Sequence, residues 1–164
     1  MAENALARLE ALAREVRAFL EPHWAAWHEK AGAPKGRRCL SEGTCGRSSR
    51  FLCDLLQREG YDAEMAFGSP VECDCGFHAE EGWKGHAWVT VADGPVIIDL
   101  TADQFGAAPV IVTEADDPRY RAAHDVAEAE WIAERQRVAH ELMRAWEVRG
   151  LVRGRESASS GAEY

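Results

Sequence analysis

Hydrophobic residues near the amino terminus recur every three or four positions. The stripe consists of Leu6, Leu9, Leu12, Val16, Phe19 and Leu20. This spacing places the apolar side chains on one face, which predicts an amphipathic helix. Proline is well suited to the first turn of a helix, so Pro22 predicts that a second helical stretch opens there and includes Trp24 and Trp27. The Gly, Pro and Lys residues of 30–38 predict a loop.

A second helical stripe begins close to residue 45. It consists of Phe51, Leu52, Leu55 and Leu56. The stripe predicts a helix from Cys45 to Glu59, and Gly60 is a typical residue after a helix end. Thr44 has a side chain suited to an N-cap, so Cys45 is expected in the first turn of this helix.

The pattern then changes to the alternation of apolar and polar residues that is typical of strands. The segments "YDAEMAFG" (61–68) and "HAWVTVA" (86–92) both alternate in this way. The sequence "DGP" predicts a turn into a strand "VIIDLT" (96–101), and "PVIV" (109–112) predicts a short third strand after that hairpin. Residues 69–85, which separate the first two segments, are interpreted as an irregular loop.

The carboxyl-terminal part returns to helical spacing. Its stripe consists of Val126, Ala129, Ile132, Ala133, Val138, Leu142, Met143 and Trp146. This predicts one or two helices over 120–148, with Trp131 and Trp146 in the core. Helices, an antiparallel strand group and a final helix predict an α+β fold. We expect a single domain over residues 1–150 and a polar, disordered tail over 151–164.

Composition and charge narrow the functional classes. The chain has 164 residues with 46% hydrophobic and 29% charged, which is typical of one globular domain. Its formal net charge of −9 argues against binding to nucleic acid or to an anionic membrane. The amino terminus lacks a signal-peptide pattern, so we expect a cytoplasmic protein unless it is exported by a route that the sequence does not show. Without a P-loop or a GxGxxG motif, no organic cofactor is expected.

Three residues could together carry nucleophilic chemistry. Cys45 at a helix start has unpaired backbone N–H groups and the positive end of the helix dipole beside it, and both favour a thiolate. A hairpin centred on 93–94 pairs residues whose numbers add to about 187, which sets His86 opposite residue 101. Asp99 then lies diagonal to His86 on the same face, within reach of its side chain.

This ordered set resembles the transglutaminase-like branch of the papain-like cysteine hydrolases. The matching residues are Cys45 in "GTCGRSSRFLCDLL", His86 in "GHAWVTV" and Asp99 in "IIDLTADQFG". The likeness covers residues 40–112 and extends to bacterial papain-fold toxin-like domains. It implies a papain-like core with Cys45 as nucleophile, His86 as base and then acid, and Asp99 as the group that orients His86.

The resemblance implies acyl transfer at an amide of a protein or peptide, through a thioester on Cys45. Water as acceptor gives a peptidase or glutamine deamidase, and an amine gives a transglutaminase; the sequence does not choose between them, and it does not indicate an oligomeric state. The chain has "TCGRSS" where papain-type enzymes have a "CGSCW"-like stretch, and no glutamine closely precedes Cys45. Candidates for oxyanion or substrate binding are therefore Thr44, Trp88, Gln104 and backbone N–H groups.

Two other interpretations remain open at this point. The first is an inactive papain-like fold whose cleft binds a peptide and whose carboxyl-terminal helix docks a partner. The second is a small zinc-stabilised protein with four ligands, Cys39, Cys73, Cys75 and His78. One residue between paired cysteines is an awkward spacing for zinc, so we interpret "CDCGFH" as a loop of free thiols near the cleft and expect no metal. In a reducing compartment the five cysteines are expected as thiols, a metal site or a nucleophile, and not as a disulfide framework.

Overall fold

The computed structural model describes residues 3–32, 39–71, 73–123 and 129–160. In these ranges the helices are α1 (Glu3–Lys30), α2 (Cys45–Arg58) and α3 (Ala129–Ser160), with a short 3₁₀ helix at Ala102–Phe105. The strands are β1 (Ala63–Gly68), β2 (Gly76–Ala79), β3 (Gly82–Lys84), β4 (His86–Val91), β5 (Val96–Asp99), β6 (Ile111–Glu114) and β7 (Tyr120–Arg121). The fold is α+β, with helices at both ends of the chain flanking antiparallel sheets, as the sequence predicts.

The first helix differs from the prediction in being continuous. Pro22 lies inside α1 and does not open a second helix. Leu20 and Trp24, on either side of the proline, are both fully buried on the same face as the earlier stripe. Burial of that face on both sides of Pro22 offsets the one helical hydrogen bond that proline removes. The predicted loop at 30–38 falls mostly outside the described residues.

The larger sheet has the strand order β1-β4-β5-β6, and every neighbouring pair is antiparallel. Val89 pairs with Ile98 and Val91 with Val96, so the partner numbers add to 187 and the predicted hairpin register is confirmed. The third predicted strand is displaced toward the carboxyl terminus. β6 begins at Ile111 and not at Pro109, whose nitrogen has no hydrogen to donate to a neighbouring strand.

The prediction of an irregular loop at 69–85 is wrong. This segment contains a hairpin of β2 and β3, and β7 pairs with the other edge of β2 to give a sheet of order β3-β2-β7. The strands are only two to four residues long, and Glu80 and Glu81 form the hairpin turn, so no alternation of useful length is visible in the sequence. β7 also occupies the start of the segment predicted as helix, and α3 begins at Ala129.

The carboxyl-terminal helix is longer than predicted. Residues 151–160, expected in a disordered tail, belong to α3, and residues 161–164 lie outside the described part. Arg149 and Arg153 both donate to Glu15 of α1, at 2.8 and 2.7 Å, and these contacts join this end of α3 to α1. Among the described residues, no helix has the length and apolar character needed to cross a membrane.

Two apolar layers lie on opposite faces of the larger sheet. The helices cover the face that carries Val89, Val91 and Ile98. The smaller sheet covers the other face, where Trp88 and Ile97 pack with residues of β2, β6 and β7. Because side chains alternate along a strand, His86 and Asp99 point to the same side as Trp88 and Ile97. The strands therefore direct both polar residues into the second apolar layer.

Candidate active site

Cys45 is held beside the start of β4 by the first turns of α2. Ser49 lies one turn after Cys45 on α2, is buried, and donates its hydroxyl hydrogen to the carbonyl oxygen of Ala87 at 3.0 Å. Residues four apart lie on the same face of a helix, so this bond turns Cys45 toward the neighbour of Ala87, His86. Cys45 is a half-buried free thiol.

His86 and Asp99 form a buried hydrogen-bonded pair. His86 Nε2 lies 2.7 Å from Asp99 Oδ2, and the two side chains are 0% and 1% exposed. The other carboxylate oxygen, Oδ1, accepts a hydrogen bond from the backbone N–H of Thr101 at 2.9 Å. The structure thus brings together the two residues that the hairpin register placed diagonally.

Tyr120 is a further hydrogen-bond partner of Asp99, and the sequence does not predict this role. Its hydroxyl group donates to Asp99 Oδ2 at 2.9 Å. The residue lies on β7, a two-residue strand in a segment with helical spacing. No local signal in the sequence marks it, because its position depends on the pairing of β7 with β2.

Aromatic rings enclose the His86 imidazole. The ring centroids of Phe105, Phe77 and Trp88 lie 5.1, 5.8 and 6.1 Å from that of His86. Trp88, a candidate oxyanion residue from the sequence, is only 2% exposed and packs beside the imidazole. This enclosure excludes water from the pair and strengthens the electrostatic interaction between His86 and Asp99.

The protonation of the pair follows from two opposing effects. Burial alone lowers the pKa of His86, but the charge of Asp99 and its hydrogen bond, together with the Cys45 thiol, raise that pKa to about 10. Burial also raises the pKa of Asp99, and this is outweighed by His86, the Thr101 N–H and the Tyr120 hydroxyl, which together lower it. At neutral pH the site therefore contains an imidazolium and a carboxylate.

The thiol faces the second nitrogen of the imidazole. Nε2 is bound to Asp99, so Nδ1 is the ring nitrogen left for Cys45, whose thiol contributes to the raised pKa of His86. Nδ1 is buried and has no partner of standard hydrogen-bond geometry within the described part of the chain. Contacts between a catalytic nucleophile and its base are often long without substrate and shorten when substrate binds.

Thr44 and Gln104 hold the segments around the site together. Thr44 is the residue before α2, but its buried hydroxyl donates to the carbonyl oxygen of Ser41 at 2.8 Å and does not cap the helix. Gln104 donates to the carbonyl oxygen of Thr101 at 2.9 Å and accepts from the Gly43 N–H at 3.3 Å. These contacts engage both side chains within the protein, in positions that support the loop before Cys45.

A polar network links α1 to the same loop. The Arg17 guanidinium binds both carboxylate oxygens of Asp103, at 2.8 and 3.0 Å, and the carbonyl oxygens of Leu100 and Pro109, each at 2.8 Å. Asp103 in turn accepts a hydrogen bond from the Ser41 hydroxyl. This Arg17–Asp103–Ser41 network joins the chain after Asp99 to the chain before Cys45, and no pattern in the sequence indicates it.

A cavity of about 350 Å³ opens at the thiol. Its lining consists of Cys45, Phe67, Ser69, Gly85, His86, Ala87 and Trp131. Trp131, predicted in the core, lies at this cavity with its ring centroid 6.0 Å from that of Phe67. Trp146, by contrast, packs against the core as predicted, with its ring centroid 5.1 Å from that of Phe19. The cavity is thus largely apolar, with the thiol and the imidazole at its wall.

The cysteines outside the site differ from the sequence prediction. Cys73 and Cys75 form a disulfide, so the expectation of free thiols at these two positions is wrong. The turn at 73–75 brings their Cα atoms to 5.3 Å, within the range that a disulfide bridges. Oxidised sulfurs are not zinc ligands, and the described residues contain no group of three or more His, Cys, Asp or Glu placed to hold a metal ion.

No protein-family model, no curated protein and no solved structure matches this chain.

Proposed function

We propose that this protein is a cysteine-dependent acyl-transfer enzyme with a papain-like or transglutaminase-like core. The observation that carries the proposal is the convergence of three residues from separate elements. His86 lies between Asp99, at 2.7 Å from its Nε2, and the Cys45 thiol, which faces its other nitrogen. A nucleophile, a base and a group that orients the base are the minimum set for covalent catalysis at an amide.

In the proposed first step the Cys45 thiolate attacks the carbonyl carbon of the substrate amide. The carbonyl π bond opens to an oxyanion, which then reforms the carbonyl as the C–N bond breaks. The leaving nitrogen takes the proton of the His86 imidazolium, so a neutral amine or ammonia departs and a thioester remains on Cys45. Asp99 keeps its charge throughout and holds the imidazole in place.

In the proposed second step an acceptor attacks the thioester. His86, now neutral, takes a proton from water or from an amine as that molecule forms a bond to the acyl carbon. The C–S bond breaks and restores the thiolate and the imidazolium. Water gives a carboxylic acid, as in a peptidase or deamidase, and an amine gives a new amide, as in a transglutaminase.

The oxyanion needs donors close to the sulfur. The first N–H groups of an α-helix have no acceptor within the helix, and Cys45 is the first residue of α2. We therefore assign oxyanion stabilisation to backbone N–H groups in the first turn of α2. The contacts of Thr44 and Gln104 favour a supporting role for these two side chains.

The test is the rate of iodoacetamide alkylation at each free thiol, followed by mass spectrometry from pH 5 to 9. A thiolate paired with an imidazolium stays reactive below pH 7, so we expect Cys45 to react roughly 10- to 100-fold faster at pH 6 than Cys39, the other half-buried free thiol. His86→Ala should abolish this advantage. His140→Ala, which changes an exposed histidine of α3, is the matched control and should leave it unchanged.

A substrate screen then identifies the reaction. Ammonia release, amine incorporation and peptide cleavage, measured on glutamine-containing proteins and peptides, distinguish a deamidase, a transglutaminase and a peptidase. If Cys45 reacts no faster than Cys39 in the wild type, the proposal of an acyl-transfer enzyme is wrong. A fold that binds peptides without catalysis would then be the better interpretation.

A further inference from the structure

Two arginines lie close to Cys45, at the start of α2. Arg47 follows Cys45 by two residues, and Arg135 belongs to α3, one turn after Trp131. A Cβ atom built on Gly46 would lie 2.9 Å from the Trp131 ring and 3.1 Å from Arg135 Nε. Trp131 also lines the Cys45 cavity, so Arg135, which stacks on this ring, lies next to the cavity. Arg47 is close enough to Cys45 to interact with it electrostatically.

Each guanidinium is stacked on an indole ring. Arg47 Cζ lies 4.2 Å from the ring centroid of Trp27, and Arg135 Cζ lies 4.4 Å from that of Trp131. Stacking uses the face of a guanidinium and leaves its N–H edge for hydrogen bonds, which is the edge that binds carboxylates and phosphates. The two groups are therefore preorganised to bind an anion.

The positive charge of the pair is only partly compensated. Glu134 accepts a hydrogen bond from Arg135 at 3.1 Å, but its side chain is 58% exposed, and it is one carboxylate for two guanidinium groups. Burial, and then the charge of Arg135, lower the pKa of Arg47. Within the described ranges Arg47 has no hydrogen-bonded carboxylate, and the buried Arg135 Nε has no hydrogen-bond partner.

Two other arginines, Arg17 and Arg119, are arranged differently. Arg17 pairs with Asp103 at 2.8 Å and Arg119 with Asp117 at 2.6 Å. Among the described residues, the exposed Glu134 is a carboxylate that interacts with both Arg47 and Arg135. This contrast indicates a site for an anion from outside the protein.

We propose that Arg47 and Arg135 select an acyl substrate that carries an anionic group, such as a carboxylate, near the reacting carbonyl. The inference rests on the proposed function, since it names the substrate chemistry of the same thiol. An acidic side chain next to the reacting residue of a peptide has the required charge and position. The apolar cavity would hold the neutral part of such a substrate between Phe67 and Trp131.

The test compares two alkylating probes that differ in charge. Iodoacetate and iodoacetamide have nearly the same size, so the ratio of their rates at Cys45 measures the preference of the site for an anion. Arg47→Gln and Arg135→Gln should each lower this ratio by about 2- to 5-fold at low ionic strength, and salt should shrink the effect. Arg137→Gln, a change of equal charge on the exposed side of α3, should not alter the ratio.

The lysine variants separate charge from stacking. Arg47→Lys and Arg135→Lys retain the charge, so both should keep most of the wild-type ratio. An unchanged ratio in the folded glutamine variants would show that the arginines only pack the helices, and the proposal would be wrong. Because the two arginines lie on different helices, a failure of one variant to fold leaves the other to decide.

The proposed enzymatic activity and the proposed preference for anionic substrates are tested by different measurements. The iodoacetamide rate at Cys45 in the wild type tests the enzyme, because iodoacetamide carries no charge. The ratio of the two rates tests the anion preference, because the imidazolium of His86 is the same in every arginine variant. Suppose that iodoacetamide reacts fast at Cys45 but the ratio of the iodoacetate and iodoacetamide rates does not depend on the arginines. The proposal of an enzyme would then stand, and the proposed preference for acidic substrates would be wrong.

Discussion

Asp99 has both carboxylate oxygens engaged inside the protein. Oδ1 binds the Thr101 N–H, and Oδ2 binds His86 and the hydroxyl group of Tyr120. A buried charge without partners costs several kcal/mol, so these contacts are what make an ionised Asp99 compatible with the aromatic layer around it. The fixed negative charge then determines the protonation of His86.

Tyr120→Phe tests the contribution of the tyrosine hydroxyl. The change removes one hydrogen bond to a buried carboxylate and keeps the ring, so we expect the free energy of unfolding in urea to fall by about 1–3 kcal/mol at pH 7. Tyr61→Phe is the control, since this half-buried tyrosine packs on the helical core and makes no contact with Asp99. Equal losses in the two variants would contradict a special role for the Tyr120 hydroxyl.

The raised pKa of His86 predicts a pH dependence of stability. Between pH 6.5 and about 10 the folded protein holds a proton that the unfolded chain releases, so the contribution of His86 is complete below 6.5 and is lost as the pH rises to about 10. Asp99 behaves oppositely: its lowered pKa contributes above 3.8 and is lost as the pH falls through the folded value. The pair therefore stabilises the protein most between pH 3.8 and 6.5.

This pH dependence can be measured against a variant without either titrating group. Urea unfolding of the wild type and of the double variant His86→Gln/Asp99→Asn, from pH 5 to 10, gives the difference in stability at each pH. We expect the advantage of the wild type to shrink steadily above pH 6.5. A difference that stays constant to pH 10 would show that folding does not raise the pKa of His86.

At the scale of elements, the sequence predicts the helix that carries Cys45 and the hairpin that carries His86 and Asp99, because short stretches of residues determine both. The apolar stripe and Gly60 predict the buried face and the end of α2, and the short turn after β4 determines the register that brings His86 to Asp99. The smaller sheet escaped prediction, since its pairing joins β2 near residue 76 to β7 near residue 120. Such pairing leaves no mark in any short window of sequence.

The pairing of β2 with β3 in the smaller sheet depends on a glycine. Gly76 has φ of +105°, and a Cβ atom on it would collide with the backbone carbonyl of Lys84. We expect Gly76→Ala to lower the free energy of unfolding by at least about 3 kcal/mol, because a backbone atom and not a flexible side chain blocks the added methyl group. The same change should slow alkylation of Cys45, because Phe77 and Tyr120 on this sheet enclose the His86–Asp99 pair.

Gly82→Ala is the matched control for this prediction. Gly82 also has a positive φ, +111°, but a Cβ atom there would meet nothing within 4 Å. Its replacement should cost only the backbone strain, about 1–2 kcal/mol, and leave the reactivity of Cys45 unchanged. If both alanine variants lost the same stability, backbone conformation and not the close approach of Gly76 to β3 would explain the effect. Urea unfolding and the alkylation rate of Cys45 separate the two cases.

At the scale of the whole molecule, the site joins segments that are distant in the sequence. Cys45 comes from a helix start, His86 and Asp99 from a hairpin, and Tyr120 from a different sheet. The loop before Cys45 is joined to the 3₁₀ helix after Asp99 through the side chains of Asp103 and Gln104, and Arg17 on α1 binds Asp103. An arginine on the flank of an amphipathic helix has the pattern of a solvated residue, so the sequence could not identify this role.

Arg17→Gln should therefore affect both stability and the site. The guanidinium is 12% exposed and binds the carboxylates of Asp103 and Glu21 and two backbone carbonyl oxygens, so its loss leaves Asp103 without its cation. We expect the free energy of unfolding to fall by roughly 2–4 kcal/mol, and the alkylation rate of Cys45 to fall as the Ser41 loop loosens. Arg14→Gln, which breaks an exposed pair with Glu10 one turn earlier on α1, should cost less than about 0.5 kcal/mol. Equal effects of the two changes in urea unfolding would mean that the Arg17–Asp103–Ser41 network does not hold the site together.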